Sequence, residues 1–148
     1  MPKHILVPTD GSKLSLKAVA HAAGLAKATG ARVTGLYVMA PYSPAMLGEA
    51  ALYVPEMSRK RYEELARREA DKALEALAKA ARAAGVSLKG MVAEHFSPWE
   101  GIVRAARAKK CDLIVMASHG RKGLAGLVLG SETTKVLTHS KVPVMVVR

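Results

Sequence analysis

Asp112-Leu113-Ile114-Val115-Met116-Ala117-Ser118-His119-Gly120 is an apolar run that breaks into polar residues and glycine, and a helical stretch from Ser131 to about His139 follows within a dozen residues. Five consecutive apolar residues suit a strand buried on both faces. A buried strand leading through a glycine-containing loop into a helix is the repeating step of a parallel α/β fold. Working outward, the same step recurs. His4 to Thr9 is a short apolar run, and Asp10-Gly11-Ser12 leads into a helical stretch ending near Thr29, with Ala18, Ala22, Leu25 and Ala26 on one face. Ser12 is placed to cap that helix and Gly30 to stop it. Ala31 to Met39 reads as a second strand.

Residues 41 to 56 carry three prolines and a glycine without a period, a length that in compact domains marks a mobile or functional loop. From about Met57 to Ala84, Ala66, Ala70, Ala73, Leu77, Ala80 and Ala84 recur at helical spacing with charges between them, and Gly85 ends the run. Glu64 with Arg68 and Glu75 with Lys79 have the spacing of ion pairs on a solvated helix face. Val86 to Ala93 is read as a third strand. Ser97 and Pro98 open a helix to about Lys109, Leu113 to Ala117 is the fourth strand, and Val142 to Val147 is the fifth. The expectation is one domain, residues 1–148: a three-layer α/β sandwich around a five-stranded parallel sheet, with right-handed crossovers. If the order is 3-2-1-4-5, strand order reverses between strands 1 and 4. Ligands of such sheets bind at that point, between the loop after Thr9 and the loop after Met116.

Composition narrows the function. The 148 residues include 23 Lys and Arg against 12 Asp and Glu, a net charge of +11 that attracts anions. Much of the charge lies between Arg59 and Arg82, interleaved with acids, which is also how a solvated helix looks. Aromatics are sparse and no aromatic-basic ribonucleoprotein motif occurs, which argues against a nucleic-acid reader. No apolar run approaches the roughly 18 residues of a membrane span, and Met1 to Pro8 runs into a strand without a signal-peptide core, so the expected location is the cytoplasm. Cys111 is the single cysteine and reads as a small buried hydrophobe.

The loop from Ser118 to Gly130 suits an anion. Gly120, Gly123 and Gly130 admit close approach or positive φ, and the N–H groups around Ser131, Glu132 and Thr133 at the helix start face outward. Arg121 and Lys122 add positive charge. The hydroxyls of Ser131 and Thr133 can donate to phosphate oxygens; alternatively Ser131 caps its helix. Asp10 stands across the crevice, or makes an Asx turn with Gly11. The sequence has neither the P-loop pattern nor the Gly-x-Gly-x-x-Gly turn.

These residues resemble the universal stress protein family, above all its nucleotide-binding subgroup. The likeness spans Ile5-Leu6-Val7-Pro8-Thr9-Asp10-Gly11-Ser12, Asp112 to Gly120 and Val142 to Val147. The resemblance implies an adenine nucleotide alpha hydrolase-like, Rossmann-like fold. It also implies a stress-response regulatory module that binds ATP, with magnesium carried on the phosphates rather than by a protein metal site. Nucleotide-binding members carry glycine, two residues, glycine, nine residues, then glycine and serine or threonine; Gly120, Gly130 and Ser131 keep that spacing, and Ala117 replaces the first glycine. By resemblance Asp10 and Val38 border the adenine, Ala117 the ribose, and Gly120, Gly130 and Ser131 the phosphates. Pro8, Thr9, Met116, His119, Arg121, Lys122, Glu132 and Thr133 complete the expected site. Phe96 stands where many relatives have glycine. The resemblance further implies a homodimer paired through Val142, Pro143, Val144, Met145, Val146 and Val147, and a downstream protein partner. The alternative within this fold is a nucleotide-free dimeric adaptor.

Catalytic machinery is not evident. The histidines at 4, 21, 95, 119 and 139 lack metal-ligand spacing, and Ser12 and Ser118 lack a base partner, leaving at most slow ATP hydrolysis or autophosphorylation at Ser131.

Overall fold

The computed structural model describes residues 1–46, 55–120 and 129–148. Five strands form one sheet: β1 (His4–Pro8), β2 (Arg32–Met39), β3 (Leu88–Glu94), β4 (Leu113–Ala117) and β5 (Val144–Val147). All neighbours are parallel and the order is β3-β2-β1-β4-β5, as expected. Helices α1 (Lys13–Thr29) and α2 (Pro55–Ala83) cover one face, and α3 (Pro98–Ala108) and α4 (Ser131–His139) the other.

Alternation along each strand sends its side chains to two cores. Ile5, Val7, Val33 and Val115 pack with Ala18, Val19 and Ala22 of α1 and with Leu77 and Ala81 of α2. Leu6, Leu36, Ile114 and Met116 pack with Ile102, Ala105 and Ala106 of α3 and Val136 of α4. Burying each large side chain is worth about 1.5–3 kcal/mol, whereas an exposed ion pair is worth about 0–1 kcal/mol. The two cores, rather than the charged face of α2, therefore hold the layers together. Among the described residues the ion pairs on that face are Arg59 with Glu63, Arg61 with Glu64 and Arg67 with Asp71, and neither of the two read from spacing is among them.

Boundaries shift where local hydrogen bonds outcompete the ladder. Val86 is not in β3. Its N–H donates to the Ala81 carbonyl at 3.0 Å beside Gly85, whose φ is +80°, so this apolar residue finishes α2 before the strand begins. Val142 and Pro143 precede β5, because the Ser140 hydroxyl bonds both the carbonyl and the N–H of Val142. Ser12 caps α1, with its hydroxyl accepting from Ser15 N at 3.4 Å, and Gly30 ends α1 in the left-handed region. Ser97 stands at the N-cap of α3 but makes no side-chain capping bond. Of the expected loop, residues 41–46 hold a short 3₁₀ turn, Pro44–Met46, and residues 47–54 lie outside the described residues. Among the described residues no helix is long and apolar enough to cross a membrane.

Candidate functional site

β1 and β4 lie side by side at the centre of the sheet. From their carboxyl ends the chain departs to opposite faces, toward α1 and toward α4, which opens the crevice predicted from strand order. Pro8, Thr9 and Met116 stand at these strand ends and are buried.

On the β1 side, Thr9 Oγ1 accepts from Gly11 N at 3.0 Å and lies 2.8 Å from Ser15 Oγ. Asp10 Oδ1 accepts from Ser12 N at 2.9 Å, an Asx turn through Gly11, whose φ is +82°. That turn leaves Oδ2 pointing across the crevice, where it meets Gly120. A methyl group on Gly120 would collide with this oxygen and push the carboxylate aside, so glycine lets the β4 loop approach Asp10 as it stands. Gly120 is not among the described glycines with positive φ. Asp10 thus serves both readings: it makes the turn and faces the β4 loop.

On the β4 side, Gly130 N donates to the Ser118 carbonyl at 2.7 Å, which holds the start of α4 against the end of β4. A Cβ on Gly130 would stand 3.1 Å from His119 Cα, so glycine again permits the approach. Gly130, not Ser131, is the N-cap of α4, and its φ of −74° is ordinary. Having no side chain, it brings no capping oxygen to the first α4 amides. The exposed Ser131 hydroxyl makes no hydrogen bond among the described residues. This end of α4 therefore presents N–H donors and positive dipole to the crevice.

Other expected residues serve the fold instead. The Thr133 hydroxyl is buried and donates to the Ala117 carbonyl at 2.9 Å, so only its backbone faces an anion. Glu132 turns to α3, accepting from Trp99 N at 2.9 Å and pairing with Lys135 at 3.2 Å. His119 Nδ1 lies 3.2 Å from the buried Ser118 Oγ. Ala117 has no positive φ, so a residue with a Cβ sits there without backbone strain. Arg121, Lys122 and Gly123 lie outside the described residues.

Val38, half-buried at the end of β2, borders the region through α3. A Cβ on Gly101 would lie 2.6 Å from Val38 Cγ1, so glycine lets α3 approach here. His95 lies nearby, with Nε2 3.3 Å from Glu100 and Nδ1 3.0 Å from Ser97 N. Phe96, 65% exposed, follows it. Sequence reading missed His95 with Glu100 and Glu132 with Trp99; a bond between residues 33 apart leaves no mark in local spacing.

β5 is the edge strand beside β4, and Met145 on it is 39% exposed. Pro143, which has no N–H to donate, precedes the β5 ladder, and its carbonyl accepts from Ile114 N at 2.9 Å.

Comparison with known proteins agrees with this architecture. A universal stress protein of Methanocaldococcus jannaschii is 38% identical over 146 residues, covering 99% of this chain and 82% of the relative. One of Thermus aquaticus is 34% identical over 148 residues, covering both chains fully at 100%. Among solved structures, universal stress protein UspA from Lactobacillus plantarum superposes with a TM-score of 0.78 at 26% identity, covering 99% of this chain and 97% of that one. A universal stress protein crystallised in complex with cAMP gives 0.74 at 26% identity, with the same coverage of 99% and 97%. The profile of the Universal stress protein family matches residues 1–148, and the chain belongs to that family.

Proposed function

We propose that this chain is a nucleotide-binding regulatory module that takes an adenine nucleotide, ATP in the first instance, in the crevice between β1 and β4. The observation that carries the reading is the contact of Asp10 with Gly120 beside an α4 start whose cap is glycine. It joins a carboxylate able to meet adenine or ribose polar groups to a cluster of amides able to meet phosphate. The chemistry of these residues fits the ligand: backbone N–H groups and the Ser131 hydroxyl donate to the phosphates, the Asp10 carboxylate accepts from the base or ribose, and Val38 packs on the base. Magnesium would travel on the phosphates. The cAMP complex of a relative supports an adenine-bearing ligand for this fold. Pairing of two copies through β5 would cover its apolar edge, and occupancy would be read by a protein partner at the surface.

The test is the nucleotide content of the purified protein, released by denaturation and separated by anion exchange, followed by calorimetric titration with ATP. Trp99 is the single tryptophan, and its backbone N–H donates to Glu132 at the α4 start, so its fluorescence should respond to occupancy. Recovered nucleotide, or a micromolar dissociation constant with a Trp99 response, is the expected result. No release and no binding at millimolar ATP would favour the second reading, a nucleotide-free dimeric adaptor, for which Ala117 in place of the family's glycine is the specific observation.

A further inference from the structure

The opposite edge of the sheet holds a feature that the crevice does not account for. At the amino ends of β1, β2 and β3 there is a cavity of about 750 Å³. That volume falls in the range of small-ligand pockets, roughly 300–1,000 Å³. Among the described residues that line it, Lys27, Arg32, Lys89 and Lys109 are cationic and none is acidic.

Register explains the convergence. His4 pairs with Arg32, and Thr34 with Lys89. With two-residue alternation, Arg32, Thr34 and Lys89 stand on the same side of the sheet. His4 forms the floor. Its Nε2 lies 2.8 Å from Thr34 Oγ1 and its Nδ1 3.1 Å from the Lys109 carbonyl. A carbonyl only accepts, so Nδ1 carries the proton and Nε2 accepts from Thr34. Lys109 closes the group from the end of α3.

Two bland explanations cover only part of this. Lysines near helix ends often complement the dipole, and Lys27 does so, donating to the Ala84 carbonyl at 3.2 Å. Arg32, Lys89 and Lys109 are exposed, yet among the described residues none of them makes an ion pair. Asp112 faces His4, but its carboxylate accepts from Lys3 N and His4 N. The ends of α1, α2 and α3 meet at this edge, and each contributes about half a negative charge. Together with Asp112 they do not balance four cations.

We infer that the cavity at the amino edge of the sheet is a second ligand site, which binds a small polyphosphorylated molecule through Arg32, Lys89 and Lys109. The site lies at the other end of the strands from the nucleotide crevice and does not depend on it. A concave site favours a compact anion over an extended nucleic-acid strand.

The test is calorimetric titration of the whole protein with inorganic tripolyphosphate at low ionic strength, where exposed charges are least screened. Three variants are compared: Arg32→Ser with Lys89→Ser, Lys109→Glu, and Ser131→Asp at the crevice. All four positions are exposed, so the variants should fold, as circular dichroism would check. The expected result is a saturable binding event that each amino-edge variant weakens at least about tenfold and that persists in Ser131→Asp, which removes only phosphate binding at the crevice, because charge-assisted contacts to phosphate are the strong ones. The inference is overturned if tripolyphosphate fails to bind at millimolar concentration, or if Ser131→Asp abolishes binding while the amino-edge variants retain it. It is also overturned if a single-stranded oligonucleotide binds more tightly through the same cations, which would make this face a nucleic-acid surface.

Discussion

Ala117 sits at the end of β4 in an unstrained backbone, with its carbonyl fixed by Thr133. Its departure from the family's glycine is therefore a matter of one methyl group at the crevice, not of backbone geometry. Ala117→Gly should tighten ATP binding by about tenfold, the lower end of what one methylene does in a pocket. It should also cost about 0.5–1 kcal/mol of stability through backbone entropy. Calorimetry and urea denaturation read the two effects separately. His4 gives a residue-scale pH dependence. Burial first, then the Arg32 charge, holds its imidazolium below the usual value of 6.5. The unfolded chain takes up that proton near 6.5 while the folded chain does not. Stability is therefore full above that pH and falls as pH drops toward the depressed folded value. In urea midpoints measured from about pH 8 to about pH 5, that slope should shrink in His4→Gln. The carboxyl of Asp112 is also held below its ordinary range, chiefly by the His4 N–H, so its contribution is lost only in stronger acid.

At the scale of elements, Glu132 joins α4 to α3: its carboxylate caps Trp99 N where Ser97 supplies no side-chain bond. Glu132→Ala should cost about 1 kcal/mol, the usual loss of a capping oxygen, and change Trp99 emission. Glu132→Gln, which keeps an acceptor oxygen, should recover part of both. Equal stability of all three proteins in urea would show that the cap is idle. This bond also shows what the sequence left hidden. Strand and helix identities were legible because each rests on a local period, and the crevice followed from strand order. The caps were legible where the capping side chain is three residues from its amide, as in Ser12 with Ser15. Val86 and Val142 read as strand residues because they are apolar and adjoin strands. Their backbones are committed instead to the Ala81 carbonyl and the Ser140 hydroxyl. The Asp10 contact with Gly120 was legible only as a juxtaposition of loops, since a distance across a crevice has no sequence period.

At the scale of the whole molecule, the sheet has two edges with different chemistry. β3 ends one side with Lys89 and Glu94 exposed, charges that discourage strand addition. β5 ends the other with Val144, Met145, Val146 and Val147, an apolar strand whose outward side no described strand covers. An open apolar edge pairs with another copy, is covered by another segment, or aggregates, and a net charge of +11 opposes indiscriminate association without blocking a specific ladder. If β5 is the contact, the partner strand buries Met145, the residue most exposed on it. Met145→Lys then places one cation from each subunit in a desolvated seam, and these two like charges should convert a dimer to monomer in light scattering coupled to size exclusion. The substitution leaves the two cores untouched, so the melting profile of the monomer should remain cooperative. A variant that stays dimeric would move the interface away from β5, and a wild-type chain that runs as a monomer would leave the edge covered by something other than its own copy.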